Sequence, residues 1–310
     1  MRREELQRRQ VVDIQEKKLS AEPIGAKLGA SISGLKLETS LGHQTFDRIL
    51  SLLRDRQILY FADQDIRPKD LLAIARLFGK PEVHPIWPGL PGCPEVARIS
   101  KLPGEEDPLG NKPRTVTSFF EAPSKFVLIY CDEDEIVSDY LFTSLTAAYD
   151  GLSSHMQDFL SGLTATHSPR GEFGPGNRKT HYFQGQISSP LIYSDAIFEH
   201  KEHPLVHVHP ETGKKSLFLN ETFTRNIVGL KDEESAHLLR FLFAHCARPE
   251  FGCRIPIRPK SLVLFDNRFT TQTTTGAPLN QSRLLYFAAV ANDEKITSSR
   301  DIPAPPGLLI

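Results

Sequence analysis

The spacing of apolar residues along the chain predicts helices and strands in alternation near its start. Apolar residues recur every three or four positions between 43 and 55, which predicts an amphipathic helix. The apolar run at 57–62 follows directly and predicts a strand. A second helix is expected to begin near Pro68, since proline suits a first helical turn, and to end at Gly79.

Further along the chain, short apolar runs predict more strands than helices. The predicted strands are 115–120, 126–130, 140–143, 262–265 and 283–290, with a hairpin formed by 205–210 and 216–219. Helical spacing returns at 152–163 and at 232–247. Many strands framed by a few helices predict a mainly β fold with helical covering, either a sandwich or a barrel.

Several segments are predicted to lie outside the core. Residues 1–20 are rich in Arg, Glu, Gln and Lys, which is typical of a solvated N-terminal arm. Residues 86–113 and 168–190 are dense in Pro and Gly, and we expect them to be lid loops over one domain that spans 21–295. The proline-rich segment 296–310 is expected to be an irregular C-terminal tail.

Composition excludes several classes of protein. The chain has 37 Lys and Arg against 38 Asp and Glu, so no nucleic-acid partner is indicated. Its four cysteines are scattered and favour neither a disulfide framework nor a thiolate zinc site. No apolar run approaches the roughly 20 residues that span a bilayer, so we expect no membrane partner and a cytoplasmic location. The sequence does not decide whether the chain forms a homo-oligomer.

A series of short motifs over 20–295 resembles the taurine dioxygenase-like (TauD/TfdA) family. The motifs are Phe78-Gly79 followed by His84-Pro85, His209-Pro-Glu-Thr-Gly-Lys214, Leu217-Phe-Leu-Asn-Glu-Thr-Phe223, Pro249-Glu-Phe251 and Asp266-Asn-Arg268. The resemblance implies a mainly β fold with α, in which a double-stranded β-helix (jelly roll) core is flanked by helices. It also implies Fe(II) and 2-oxoglutarate as the cofactors of active relatives, which hydroxylate small acids.

The iron ligands that this resemblance implies are replaced in the chain. Members of the family hold Fe(II) with a His-x-Asp pair and a distal His, and Arg114, Val116 and Gln272 stand at those positions. Arginine stays protonated, valine has no donor atom, and a glutamine amide is a poor substitute for imidazole. We therefore expect no metal site at this position and no cofactor.

One cofactor-site feature of the family is retained. Arg283 stands where the resemblance places a carboxylate-binding arginine, and His84 matches the histidine that contacts the acidic head of the substrate. The other candidates for a substrate pocket are Arg114, Gln272, Tyr140, Thr117, Phe119, Phe287, Trp87 and Asn220. We expect Arg114 and Arg283 to point inward together and to bind a small carboxylate ligand. Alternatively, Arg283 pairs internally with Glu121 or Asp266.

Three functions stay open from the sequence, and it does not decide whether the chain is an enzyme. The first is a repurposed scaffold with metal-independent chemistry of the isomerase, cyclase or lyase type. The second is a silent pseudoenzyme that binds the carboxylate or pairs with an active relative. The third is an Fe(II)/2-oxoglutarate dioxygenase that uses unusual ligands, such as His84 together with histidines of the 200–209 segment.

Overall fold

The structure is a computed structural model, and it describes residues 19–105, 112–132, 138–175, 191–192, 194–276 and 278–298. None of the helices in these ranges is long and apolar enough to cross a membrane. Most of the predicted arm at 1–20 (residues 1–18), residues 106–111 and 176–190 of the two predicted lid loops, and residues 299–310 of the predicted tail lie outside the described residues. The described start of the second predicted loop, 168–190, contains a short helix, Arg170–Phe173.

The largest sheet of the described chain has nine strands. Their order across the sheet is β1 (Ser20–Pro23), β2 (Ala30–Ser33), β3 (Ile58–Phe61), β15 (Ser261–Asp266), β7 (Phe126–Cys131), β17 (Arg283–Val290), β6 (Cys93–Lys101) and β5 (Gly89–Leu90), while β4 (Pro81–Glu82) pairs with β17. Strands β2 and β3 are parallel, and the other neighbours are antiparallel.

Smaller sheets complete the β structure. One has the order β14 (Gly252–Ile257), β8 (Ser138–Ser144) and β16 (Thr270–Thr274), and another has the order β10 (Lys201–Pro204), β9 (Thr164–His167) and β13 (Thr224–Ile227). The predicted hairpin is present as β11 (Val206–Val208) and β12 (Lys215–Leu217). The predicted mainly β architecture with flanking helices is confirmed.

The described residues form six α-helices. They are α1 (His43–Arg56), α2 (Pro68–Phe78), α3 (Leu145–Asp150), α4 (Ser154–Leu160), α5 (Arg170–Phe173) and α6 (Asp232–Cys246). Helix α2 begins as predicted at Pro68, and the Asp70 carboxylate accepts a hydrogen bond from the backbone N–H of Arg67, at 3.2 Å. Helix α4 is shorter than the 152–163 predicted.

The central strands of the large sheet are buried on both faces. Because successive side chains of a strand point in opposite directions, Leu128 and Tyr130 of β7 join an outer core beneath α1 and α2. Val127 and Ile129 of the same strand join an inner core with residues of β8 and β14. The candidate site lies in this inner core.

The predicted lid loop at 86–113 is wrong over much of its length. It contains β6, a nine-residue strand that pairs with β17. Val96 faces the outer core, while Ala97 and Ile99 face the inner one. The prolines and glycines immediately before the strand dominate the composition of the segment and mask the alternation that follows them.

The predicted strand at 115–120 is also wrong. Residues 116–119 form turns, and only Arg114 makes a bridge to another strand residue, Gln272. Thr117 has φ of 54°, a left-handed conformation that is rare for a β-branched residue. The side-chain amide of Asn267 bonds the backbone of Val116 and takes the place of a partner strand.

Candidate functional site

A small cavity lies in the inner core between the large sheet and β8. Eight of the ten residues proposed from the sequence line it: His84, Trp87, Arg114, Thr117, Phe119, Tyr140, Gln272 and Phe287. Its volume is about 40 Å³, counted as the space that the centre of a water molecule can occupy. In this conformation the cavity therefore has room for a few water molecules.

The positions that the family resemblance assigns to iron ligands meet in the wall of this cavity. The backbone N–H of Arg114 donates to the carbonyl of Gln272 at 3.0 Å, and the N–H of Gln272 donates back at 2.9 Å. Both side chains are buried, and Val116 lines the same cavity. The spatial convergence of all three residues supports the alignment with the family motifs that assigned them to the ligand positions.

Two of the predicted site residues, Arg283 and Asn220, are not among the described residues that line the cavity. Arg283 is fully buried where β17 begins, opposite Lys101 of β6, and shares a strand face with Phe287, four residues further on. The inward convergence of Arg114 and Arg283 on one ligand therefore stays a prediction.

Asn220 lies behind the cavity wall and holds it through hydrogen bonds. Its side-chain Nδ2 donates to Ser118 Oγ at 3.0 Å, and its Oδ1 accepts from the backbone N–H of Phe223 at 2.8 Å. Phe223 contacts Phe119 edge to face, with ring centroids 5.1 Å apart, and both rings line the cavity. Asn220 is thus a positioning residue for the aromatic part of the wall. Phe223 belongs to that wall but was not among the predicted site residues.

The internal partners considered for Arg283 are engaged elsewhere. Glu121 forms an ion pair with Lys295 at the surface, and the carboxylate of Asp266 accepts hydrogen bonds from Arg268. Neither carboxylate neutralises Arg283.

His84 presents a neutral imidazole to the cavity. Its Nδ1 accepts hydrogen bonds from the backbone N–H groups of Ile86, at 3.2 Å, and Trp87, at 3.0 Å. Burial lowers the pKa of His84 to about 3, so the ring is neutral at pH 7. With Nδ1 accepting, the ring proton is on Nε2, which makes that nitrogen a hydrogen-bond donor.

The Asp266-Asn267-Arg268 motif holds the backbone beside the cavity. Asn267 Oδ1 accepts from the N–H of Val116 at 2.7 Å, and its Nδ2 donates to the carbonyls of Val116, at 2.9 Å, and Ser124, at 2.8 Å. Arg268 Nη2 donates to Asp266 Oδ2 at 2.6 Å, with both side chains almost fully buried. Burial works to raise the pKa of Asp266, but Arg268 and His209 outweigh it and hold the pKa below its usual value.

The donor set of the cavity wall does not fit Fe(II). At the positions where the family has two imidazoles and a carboxylate, Arg114 and Val116 offer no lone pair and Gln272 offers a neutral amide. Among the residues that the structure describes, no group of three or more His, Cys, Asp or Glu side chains is placed to hold a metal ion. Arg114 instead supplies a fixed positive charge.

The histidines of the 200–209 segment lie apart from this cavity. His207 stacks on the ring of Phe269 with centroids 4.7 Å apart, and His209 stacks on the same ring at 4.2 Å. His203 contacts the ring of Phe218. In the described chain these side chains form no metal-binding group with His84, so the proposed ligand set of His84 and this segment is not brought together.

Comparisons with known proteins agree with the sequence motifs. The model of the Taurine catabolism dioxygenase TauD, TfdA family matches residues 20–271. An alpha-ketoglutarate-dependent sulfonate dioxygenase of Saccharomyces cerevisiae is 30% identical over 265 residues, covering 81% of this chain and 61% of that protein. An alpha-ketoglutarate-dependent sulfate ester dioxygenase of Pseudomonas putida is 26% identical, covering 89% and 90%.

Solved structures show the same fold. The crystal structure of a taurine dioxygenase from Burkholderia xenovorans superposes with a TM-score of 0.72 at 26% identity, covering 89% of this chain and 92% of that one. The predicted jelly-roll core is therefore confirmed. The expectation that no cofactor is involved is contradicted, because relatives that match most of the chain are named as dependent on alpha-ketoglutarate, which is 2-oxoglutarate.

Proposed function

Because the chain belongs to the TauD, TfdA family, we propose that its inner cavity binds 2-oxoglutarate or a closely related small carboxylate, with Arg114 as the carboxylate partner. The observation that carries this proposal is the buried guanidinium of Arg114 in an otherwise largely apolar wall. A guanidinium in a cavity wall is a carboxylate-binding group, and its hydrogen bonds to a carboxylate are strong where water is excluded.

The polar groups of the wall suit a carboxylate. A guanidinium binds a carboxylate through parallel N–H donors, and the Nε2–H of His84 and the amide of Gln272 add directional hydrogen bonds. The aromatic rings of Phe119 and Phe287 would contact the carbon chain of the ligand. A five-carbon dicarboxylate exceeds the present volume, so wall side chains such as Trp87 must move outward on binding.

The proposal is tested by calorimetric titration of the purified full-length chain with 2-oxoglutarate. We expect wild-type protein to bind, and Arg114→Gln to bind about 10- to 100-fold more weakly, as for the loss of a charge-assisted hydrogen bond. Arg254→Gln is a matched control, because this arginine is exposed on β14. Absence of binding by the wild type, or equal affinity of the Arg114 variant, would contradict the proposal.

The same titration separates the two arginines that the sequence analysis had placed together. Arg283 lies beyond the cavity lining, so we expect Arg283→Gln to weaken binding of 2-oxoglutarate less than Arg114→Gln does. A larger effect at Arg283 would show that the ligand extends along β17 beyond the cavity.

The same titration in the presence of added metal tests whether the family's Fe(II)-dependent chemistry operates in this chain. The residues at the former ligand positions do not fit Fe(II), so we expect the affinity for 2-oxoglutarate to be the same with and without added Mn(II). Metal-enhanced binding together with Fe(II)-dependent formation of succinate would instead identify a dioxygenase with an unusual ligand set.

A further inference from the structure

A chain of hydrogen bonds joins the cavity to a carboxylate that the proposed ligand does not contact. Thr117 lines the cavity, and its Oγ1 lies 2.8 Å from Ser124 Oγ. Ser124 Oγ is in turn hydrogen-bonded to Oε1 of Glu82. Glu82 is partly exposed at the end of β4, whereas Thr117 is buried, so the chain runs from near the surface to the cavity wall.

The geometry of this chain is held by backbone contacts. The backbone N–H of Ser124 donates to Thr117 Oγ1 at 2.9 Å, and the carbonyl of Ser124 accepts from Asn267 Nδ2 at 2.8 Å. Thr117 keeps the left-handed backbone conformation noted above. Strained residues of this kind persist where surrounding contacts determine them, and they concentrate at functional sites.

The protons of the chain can be arranged in two ways, because each hydroxyl carries a single proton. With Glu82 protonated, it donates to Ser124, Ser124 donates to Thr117, and Thr117 donates to the carbonyl of Val116, 2.8 Å away. With Glu82 ionised, Thr117 donates to Ser124 and Ser124 donates to Glu82. The carbonyl of Val116 then keeps the hydrogen bond from Asn267.

Only the first arrangement leaves the Thr117 proton available to a ligand. In that arrangement the hydroxyl of Thr117 can turn from the carbonyl of Val116 to a carboxylate oxygen in the cavity, while Val116 remains bonded to Asn267. In the second arrangement the same proton is committed to Ser124. An anion in the cavity therefore favours the protonated form of Glu82.

We propose that Glu82, Ser124 and Thr117 form a proton relay that couples binding of a carboxylate in the cavity to uptake of one proton at Glu82. The proton passes from water to the Glu82 carboxylate, the two hydroxyls reverse direction, and no other bond forms or breaks. The proposal rests on the carboxylate-binding function proposed above. It adds pH-dependent affinity and a route for a proton between surface and cavity.

The charged surroundings leave Glu82 as the titratable group at the outer end of this hydrogen-bond chain. Burial raises the pKa of Glu82, although the hydrogen bond from Ser124 works to lower it. Strand β17 faces Glu82 with Ala289, which carries no charge. In the cavity, the pKa of His84 is about 3 and Arg114 stays protonated, so neither changes charge near pH 6.

The titratable neighbours along the chain are also accounted for. Lys80 precedes β4 on the same segment, and Lys125 follows Ser124 but forms an ion pair with Glu211. Helix α2, which packs on β4, ends at Phe78 and places its last cation, Arg76, at the surface. Among the described groups, Ser124 is the one hydrogen-bonded to the Glu82 carboxylate.

The experiment is calorimetric titration with 2-oxoglutarate at about pH 6 in two buffers of different ionisation enthalpy, which reports the protons taken up on binding. We expect net uptake by the wild type and none by Glu82→Gln, which still binds. Thr117→Val removes the hydroxyl but keeps the shape, and it should abolish uptake. Thr117→Ser retains the hydroxyl and should preserve it.

Two results would overturn the relay. The first is binding by the wild type without proton uptake, and the second is undiminished uptake in Thr117→Val, which would show coupling through space rather than through the hydroxyls. Absence of any binding by the wild type would instead refute the proposed function itself, and the relay with it. Circular dichroism of each variant confirms that the fold is retained.

Discussion

Two neighbouring regions of this molecule differ sharply in how far they follow the family pattern. One is the frame, which we define as His209, Asp266, Asn267 and Arg268, and which keeps the family motifs. The other is the cavity wall at Arg114, Val116 and Gln272, the three residues at the positions to which the family resemblance assigns the iron ligands. The two regions touch directly, because Asn267 bonds the backbone of Val116 on both its N–H and its carbonyl.

The difference leads to the hypothesis that fold and metal chemistry are separable in this jelly roll. The frame satisfies its buried polar groups with one another and with backbone, including the backbone of Val116, and these contacts use none of the side chains at the assigned ligand positions. The wall can therefore change from a ligand set to a cationic surface while the surrounding backbone stays in place. Four predictions test this separation, in order of decreasing expected effect.

The largest effect is expected from breaking the buried ion pair of the frame. Arg268→Ala would leave the carboxylate of Asp266 buried without its guanidinium, and it would remove the contact of Arg268 with the ring of Phe269. Loss of one partner of a buried ion pair typically costs about 3–5 kcal/mol. Urea denaturation of wild type and variant measures the change in the free energy of unfolding.

Arg248→Ala is the matched control for that measurement. Arg248 pairs with Glu250, and both side chains are about half exposed, so the loss should stay below about 1 kcal/mol. A similar loss in the two variants would show that the frame is not a special source of stability.

The second prediction concerns the loss of folding stability at acid pH. Burial lowers the pKa of His207 to about 3 and that of His203 to about 4, whereas unfolded histidine titrates near 6.5. Below pH 6.5 the unfolded chain therefore binds protons that the folded chain does not, and stability falls as the pH falls. Each buried histidine should cost about 1.4 kcal/mol per pH unit, or roughly 3 kcal/mol between pH 6.5 and 4.5.

His207→Phe isolates one of these contributions. The ring stacks on Phe269, and its buried Nε2 has no hydrogen-bond partner among the described residues. Its Nδ1 contacts the carbonyl of Thr297 at 3.3 Å, and that carbonyl keeps the hydrogen bond from the N–H of Val208, so phenylalanine preserves the shape and removes the titration. We expect a shallower loss of stability with acid in this variant, measured by thermal unfolding from about pH 7 to about pH 4.5. An unchanged pH profile would show that other groups govern acid unfolding.

The third prediction rebuilds the wall on the existing frame. The triple variant Arg114→His, Val116→Asp, Gln272→His places two imidazoles and a carboxylate where the family has them, and the backbone pairing of 114 with 272 already brings these positions together. At metal concentrations about 100-fold above the dissociation constant, Mn(II) should stabilise the variant by roughly 2.7 kcal/mol. The melting temperature measured with and without Mn(II) reports this.

Wild-type protein is the control for the metal experiment and should show no shift with Mn(II). A variant that folds but is not stabilised would mean that the left-handed turn at Thr117 holds the wall in a geometry unsuited to a metal. Equal stabilisation of both proteins would reveal a metal site elsewhere in the chain.

The sequence predicted regular elements better than it predicted the wall. Helices α1, α2 and α6 and the β11–β12 hairpin were found within a few residues, because periodic apolar spacing is a local signal. Strand β6 was missed because its alternation follows a cluster of prolines and glycines. The turn at 116–119 was missed because the side chain of Asn267, distant in sequence, determines its conformation.

The composition of the cavity was predictable only where family motifs supplied the register. Arg114 and Gln272 were placed correctly in one wall, and their mutual backbone bonds show why. The family spacing places Arg283 on β17, on the strand face of Phe287, and its contact with a ligand stays a prediction. Glu82 and Ser124 went unnoticed, since neither belongs to a motif and their contact joins separate segments.

The smallest effect is expected at the rim of the frame, where the hairpin that carries His209 reaches the surface. Glu211 accepts hydrogen bonds from Arg54 at 2.5 Å and Lys125 at 2.9 Å. Partial burial works to raise the pKa of Glu211, but these two cations lower it to about 2. The stabilisation is therefore present above pH 4.5, the ordinary value, and is lost as the pH falls toward 2.

Glu211→Gln measures that stabilisation at neutral pH. Solvent reaches all three side chains, and about half of Arg54 is exposed, so we expect a loss of only about 1 kcal/mol, smaller still at high salt. Urea denaturation at low and high ionic strength provides the measurement. Only charges shielded from water keep their interaction when salt is added. If Glu211→Gln lost as much unfolding free energy as Arg268→Ala, independently of salt, the ion pairs of Glu211 would therefore belong to the buried frame.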